Sequence, residues 1–389
     1  LFFILLSKIL AMRPLQMVDT KTQYLHIKEE VDKAVSEVMD SAAYINGPAV
    51  GQFAEQLASY LSVKHVIPCA NGTDALQIAL MALDLQPGDE VITPSFTYIA
   101  TTEVIALLRL KPVFVEVDPF HFCMDPVALE RAITPRTRAI VPVHLYGQAA
   151  PLKEILDIAS RHGIAVIEDN AQAIGCDYSF EDGQKKKTGT LGTIGCTSFY
   201  PSKNLGAFGD GGALFTNDDV LASRIRMIAN HGQSKRYYHD VVGCNSRLDT
   251  MQAAILSVKL TRLDQYNAAR RQAADFYDQA FAGCSSLLTP RRVNHGTHVF
   301  HQYTLRVTNG QRDALATFLT NRQIPSMVYY PVPGHRQKMF DSFLTTTPDL
   351  PITDLLTEQV ISLPIHTELD TEQLSFIASG VLDFFKTRA

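Results

Sequence analysis

The sequence predicts an α/β protein, with a large three-layer α/β/α domain around a mostly parallel sheet and a smaller C-terminal α+β domain. Three observations lead there. Short β-branched runs alternate with helical patterns through the first half of the chain, and strands joined in that way need crossovers that cover both faces of a parallel sheet. The pattern changes after a long helical stretch from Leu248 to about Phe281, beyond which strand, helix and strand follow one another. A length of 389 residues, 46% of them hydrophobic, suffices for a large core and a second smaller one.

Taken in order, Ile27, Val31, Val35 and Val38 recur at helical spacing. Strand-like runs follow at His65–Cys69, Glu90–Thr93, Pro112–Val117, Ala139–Leu145 and Ala165–Glu168, with helical stretches such as Thr73–Leu83, Thr101–Leu108 and Leu152–His162 between them. Two further runs, Cys196–Tyr200 and Ala213–Thr216, lie close together among glycines, which leaves room for antiparallel pairing there. After Phe281, His301–Val307, Arg312–Asn321 and Ser326–Tyr330 read as strand, helix and strand, and the chain closes on a helix near Gln373–Phe385. The expected division is an N-terminal extension at 1–16, a large domain at 17–262 and a small domain at 263–389. Leu1–Ala11 is apolar but lacks the preceding positive charge and following small-residue site of a signal peptide, so folding is expected to begin near Met12 or Met17.

Composition excludes some classes of function. Lys and Arg number 35 against 40 Asp and Glu, a net charge of -5, which offers no general attraction to nucleic acid or anionic lipid. No apolar run approaches the roughly 18 residues of a membrane helix. Neither nucleic acid nor a membrane is therefore an expected partner. Six scattered cysteines without a C-x-x-C pair suit free thiols in a reducing, cytoplasmic setting.

Three polar clusters fall at the carboxyl ends of strands, where open α/β sheets bind ligands. Asn71-Gly72-Thr73-Asp74 precedes a helix. Its amides and dipole suit a phosphate, although taken alone the segment reads more simply as an N-cap turn by Thr73 or Asp74. Glu168-Asp169-Asn170-Ala171-Gln172 puts two acids at the end of a buried strand, which is costly unless they are paired. A protonated ring nitrogen would pair one of them, and a surface turn is the alternative. Thr197 to Lys203, followed by Gly206, Gly209, Gly211 and Gly212, groups hydroxyls and one lysine in a glycine-rich turn. A lysine that attacks a carbonyl must be neutral, as desolvation arranges. Lys185-Lys186-Lys187 reads as a solvated hairpin. His295, His298 and His301 have no grouped carboxylate or thiol, so no metal site is expected.

Five segments together, Asn71–Leu76, Pro94–Thr101, Ile167–Gln172, Thr197–Lys203 and Asn245–Ala253, resemble the DegT/DnrJ/EryC1/StrS sugar aminotransferases, pyridoxal 5'-phosphate (PLP) enzymes of the aspartate aminotransferase fold, fold type I. The resemblance runs from about Met17 to the C-terminus. It implies that Lys203 carries PLP as a Schiff base and shuttles a proton, and that Asp169 pairs with the pyridinium nitrogen. By the same resemblance Gln172 meets the ring's 3-oxygen, Tyr98 stacks on the ring, and Gly72, Thr73 and Ser198 bind the phosphate. Asn245 would reach the phosphate of a neighbouring subunit, implying a homodimer with shared sites, with Arg247 near the nucleotide-sugar. Asn170 departs from the Ala common after that Asp.

The implied reaction has two halves. L-glutamate leaves its amine on the cofactor as pyridoxamine 5'-phosphate, and a nucleotide-linked keto-sugar then accepts it. Lys at 203 favours amino transfer over the family's dehydratase branch, which has His there. Segments at Cys69–Ile78, His231–Tyr237 and Tyr329–Pro333 look most like enzymes aminating C3 of UDP-2-acetamido-2-deoxy-3-oxo-glucuronate for bacterial surface polysaccharide and lipopolysaccharide. Arg247, Tyr329 and Tyr330 would then contact the sugar nucleotide. The dTDP-3-oxo- or 4-oxo-6-deoxyhexose aminotransferases remain an alternative, as does a non-enzymatic PLP-binding regulator. Of other fold-type I activities, a desulfurase would need a mobile catalytic Cys, for which the scattered cysteines give no loop signature.

Overall fold

The computed structural model describes residues 13–386; the apolar Leu1–Ala11 segment lies outside the described residues. Three helices open it: α1 (Thr20–His26), α2 (Lys28–Ser41) and α3 (Pro48–Leu61). There follow β1 (His65–Cys69), α4 (Gly72–Ala82), β2 (Glu90–Pro94), α5 (Ala100–Leu107), β3 (Lys111–Val115), α6 (Pro126–Ala132), β4 (Thr137–Ile140), α7 (Leu152–His162) and β5 (Ala165–Asp169). The hairpin β6 (Asp177–Ser179) and β7 (Lys185–Lys187) precedes β8 (Ile194–Ser198) and β9 (Gly212–Thr216). These build a seven-stranded sheet in the order β1-β9-β8-β5-β4-β2-β3. Strand β9 runs antiparallel to both its neighbours, and the remaining pairs are parallel.

Alternation along the strands explains the layers. Ile67, Val91, Ala139, Ile167, Cys196 and Leu214 face α4, α5 and the helix α8 (Asp219–Ala229) in one core. Val66, Ala213 and Phe215 face the opposite side, against α3 and α9 (Thr250–Leu260), while Ile92, Ile140 and Val166 pack there with residues of α6 and α7. A period of two along each strand is what a sheet covered on both faces requires.

A short hairpin, β10 (Gln233–Lys235) and β11 (Tyr238–His239), projects between α8 and α9. The helix α10 (Leu263–Phe281) then starts in the large core at Leu263 and ends in a second core at Ala273, Ala274, Tyr277 and Phe281. That core is built on a three-stranded antiparallel sheet of β12 (Leu287–Leu288), β13 (Tyr303–Val307) and β14 (Val360–Leu363). Helices α11 (Arg312–Asn321) and α13 (Thr371–Lys386) complete it, while α12 (Pro351–Gln359) packs Leu356 in a separate cluster with Phe96, Phe122 and Tyr146.

Two expected elements differ. The helical stretch from Leu248 is broken after Leu260, because the Thr261 hydroxyl and the Arg262 amide cap the carbonyls of Val258 and Lys259. The run Ser326–Tyr330 is no strand: only Met327 exchanges backbone bonds with Ser362, and the chain then leaves the sheet edge. The third strand is β14, which the sequence did not suggest. The six cysteines are unpaired, and no helix among the described residues is long and apolar enough to cross a membrane.

Phe199, just past β8, is fully buried and meets Phe53 of α3 edge-on at 5.4 Å between centroids. Its amide donates to Gly211 and its carbonyl accepts from Ala207, each at 2.7 Å, closing the loop that carries Lys203. Phe199→Ala should destabilise the protein by about 3–5 kcal/mol, the usual range for emptying an aromatic core site. An unchanged melting temperature in calorimetry would count against this packing.

Candidate active site

The carboxyl ends of β1, β5 and β8 open onto a cleft of about 500 Å3, within the size range of small-ligand sites. Strand β5 delivers Asp169 to it. Thr101, in the first turn of α5, donates its hydroxyl to Asp169 Oδ2 at 2.7 Å, and the Ala171 amide donates to Oδ1 at 3.1 Å. Both oxygens are thus fixed, and the carboxylate still lines the cleft.

Lys203 enters from the loop after β8, its own amide bonded to the Tyr200 carbonyl at 2.8 Å. Next to it Asn204 is buried, its side-chain amide donating to Asn267 on α10 at 2.7 Å and to the Val299 carbonyl at 2.8 Å. The lysine is therefore held from both sides. Burial pulls the Lys203 pKa down to about 8, and the negative charge of Asp169 opposes that shift only in part. An amine of this kind is still mostly protonated near physiological pH, but its neutral fraction is far larger than that of an ordinary lysine and is available as a nucleophile.

At the start of α4 the Asn-Gly-Thr-Asp segment forms an N-cap turn, with a correction. Asn71, rather than Thr73 or Asp74, is the cap: its Oδ1 accepts the Asp74 amide at 2.8 Å. Gly72 and Thr73 form the first turn, line the cleft, and carry amides with no helical partner. A Cβ on Gly72 would sit 2.6 Å from that of Ser198, so only glycine lets this turn approach β8. Ser198 lines the same end of the cleft.

Gln172 lines the cleft but is already engaged. Its Oε1 accepts the Tyr146 amide at 2.7 Å and its Nε2 donates to the Tyr330 hydroxyl at 3.0 Å, which leaves one amide hydrogen free. Tyr98 is 54% exposed at the mouth, 5.8 Å from the Tyr330 ring. Tyr329 and Tyr330 form the wall on the side of the smaller sheet, with the Tyr146 hydroxyl bonded to the Tyr329 carbonyl.

Asn245 and Arg247 do not line this cleft. Asn245 is exposed, bridges Asn230 at the base of the β10–β11 hairpin, and precedes Ser246, whose hydroxyl accepts the Ala70 amide at 3.0 Å. Asn170 turns away from the cleft, its Oδ1 accepting the Thr188 hydroxyl at 2.7 Å. The histidine trio disperses: His295 packs on Tyr178, His298 stacks on Phe300 at 3.7 Å, and His301 lines the cleft.

Sequence reasoning missed several cleft residues. Thr101 lies inside the Pro94–Thr101 segment, four residues after Thr97, and the two hydroxyls lie 3.3 Å apart. His301, whose pKa is driven far down by burial and then by the Lys203 charge, and Asp210 also line the cleft. Nothing in their local pattern marks them, because long-range packing brings them there.

A weakly basic amine and a fixed carboxylate facing one cleft, with a helix N-terminus at its end, fit PLP: the amine for the aldehyde, the carboxylate for the ring nitrogen, the helix turn for the phosphate. The fold and this donor set define a PLP-dependent aminotransferase. The chain belongs to the DegT/DnrJ/EryC1/StrS aminotransferase family, whose model matches residues 25–382. It is 46% identical over 367 residues to UDP-2-acetamido-2-deoxy-3-oxo-D-glucuronate aminotransferase of Pseudomonas aeruginosa, covering 94% of this chain and 99% of that protein. It is equally 46% identical, over 372 residues covering 95% and 98%, to a protein of Geobacillus stearothermophilus named a pleiotropic regulatory protein. Among solved structures, DesV of S. venezuelae in complex with a ketimine intermediate superposes with a TM-score of 0.91 at 39% identity, covering 96% of this chain and 99% of that one.

The lowered pKa gives a measurable outcome. In cofactor-free protein, acylation of Lys203 followed by peptide mass spectrometry should rise with pH around 8, well below the ordinary 10.5. A midpoint near 10.5 would contradict the geometry. Between about 8 and 10.5 the folded protein binds fewer protons than the unfolded chain, so the cost of burying this lysine falls as pH rises through that window and is gone above it.

Proposed function

We propose that this chain transfers an amino group from L-glutamate to C3 of a UDP-linked 2-acetamido-2-deoxy-3-oxo-uronic sugar, supplying a diamino sugar for bacterial surface polysaccharide such as lipopolysaccharide. The observation that carries the transamination reading is that Lys203 and Asp169 line one cleft together with the first turn of α4. The 46% identity to the Pseudomonas aeruginosa enzyme supports the sugar. So does 44% identity over 365 residues to UDP-N-acetyl-3-dehydro-alpha-D-glucosamine 3-aminotransferase of Acidithiobacillus ferrooxidans. Identity to dTDP-3-amino-3,4,6-trideoxy-alpha-D-glucose transaminase of Streptomyces venezuelae is lower, at 39%.

PLP, when bound, supplies an electron sink for charge developing on the substrate carbon. The residues do the rest. Lys203 would hold the cofactor through Nζ and would move a proton to and from that carbon. Asp169, fixed by Thr101, keeps the ring nitrogen protonated. The amides of Gly72 and Thr73 and the Ser198 hydroxyl hold the phosphate. Gln172 would offer its free amide hydrogen to the ring oxygen, and Tyr98 would cover the ring. Tyr329 and Tyr330 meet the sugar nucleotide from the far wall.

Asn245 and Arg247, exposed or half-buried outside this cleft, are suited to complete the site of a second copy in a cytoplasmic homodimer. Arg247 would bind the diphosphate or the uronate carboxylate through charge-assisted bonds.

Glutamate-dependent amination of a panel of UDP- and dTDP-linked 3-oxo and 4-oxo sugars is the direct test, with the UDP-3-oxo-uronate expected to turn over fastest. Preference for a dTDP-6-deoxy sugar would replace the substrate, and no turnover on any of them would remove the sugar reading. Lys203→Ala should lower turnover by at least about 10³, within the range of lost proton-transfer catalysis, and should abolish borohydride-fixed PLP on the peptide spanning residue 203. Retained labelling would refute the role of Lys203.

A further inference from the structure

Directly before Asp169 stands a second carboxylate that faces away from the cleft. Glu168 is wholly buried, and among the described residues no Lys or Arg pairs with it. Its Oε1 accepts the amides of Leu191 at 2.7 Å and Gly192 at 2.5 Å. Its Oε2 accepts the Gly189 amide at 2.7 Å and meets His144 Nε2 at 2.9 Å. His144, equally buried, accepts the Ala150 amide on Nδ1 at 3.0 Å. That bond needs a lone pair on Nδ1, so the ring is neutral and its hydrogen sits on Nε2, pointing at Glu168. Four donors fill the acceptor sites of one buried carboxylate.

Burial works against its ionisation, and the His144 bond with the Gly192 and Gly189 amides favours it. The glycines fit the arrangement: a Cβ on Gly192 would lie 2.8 Å from the Val166 carbonyl, and one on Gly195 would lie 1.9 Å from that of Gly189.

The cage also reaches the cleft through the backbone. The His144 amide donates to the Asp169 carbonyl at 3.1 Å, and the Asp169 amide donates to Pro142 at 2.9 Å. Two residues after His144, the Tyr146 amide holds Gln172. One histidine therefore braces the main chain of Asp169 and leads into the segment that fixes Gln172.

We propose that Glu168 and His144 are a positioning pair, which sets the carboxylate of Asp169 and the amide of Gln172 for the cofactor without touching it. The proposal rests on the reading of Asp169 as partner of the cofactor's ring nitrogen.

The test measures PLP dissociation and the visible absorbance of the holoenzyme in a double-mutant cycle. Glu168→Gln should weaken PLP binding about tenfold and shift the pH dependence of the visible band. In an Asp169→Asn background the same change should alter affinity less than about threefold, because the group being positioned is already gone. An equal loss in both backgrounds, or none in the first, would overturn the proposal. If Asp169→Asn alone leaves affinity and absorbance unchanged, it is the ring-nitrogen reading that fails, and the proposal falls with it. Should Glu168→Gln not fold, a pair of His144 variants decides the matter. His144→Gln keeps a donor towards Glu168 and should stay within about threefold of the parent, whereas His144→Leu should lose about tenfold. Equal affinities for these two would also refute the proposal.

Discussion

Two adjacent carboxylates leave the end of β5 on opposite faces, and the site is organised by how differently each is solvated. Glu168 is desolvated completely and repaid by neutral donors from the 189–192 turn and His144. Asp169 keeps its place at the cleft, fixed by one hydroxyl and one amide. A buried, unpaired carboxylate is so unfavourable that the first arrangement leaves the strand end little freedom. The reactive lysine benefits from the same economy of space, since its loop is closed by Phe199 and Asn204.

Much of this was legible in the residues. Alternating strand and helix gave the sheet, and glycines around β8 and β9 hinted at the reversed strand that the structure contains. Lys203, Asp169 and the Asn71–Asp74 turn stood out because unusual polar groups sat where apolar strands end. What was hidden depends on distant contacts. The acidic pair was visibly costly, but its remedy came from residues 24 positions either side, at His144 and Gly192. The break after Leu260 was masked by an unbroken helical composition. Ser326–Tyr330 had the composition of a strand, yet only Met327 found a sheet partner.

Asn245 and Arg247 illustrate another limit. A motif carries them as firmly as it carries Lys203, yet a single chain places them away from the cleft, on the approach to the β10–β11 hairpin.

The wall formed by Tyr329 and Tyr330 is anchored from the large sheet, through Gln172 and Tyr146, while its chain comes from the smaller one. Anything bound in the cleft therefore touches both halves at once and acts as a strut between them. Ligand affinity and the docking of the C-terminal portion become thermodynamically linked, so saturation with cofactor would make heat denaturation more concerted, and loosening the C-terminal sheet would weaken ligand capture from a distance.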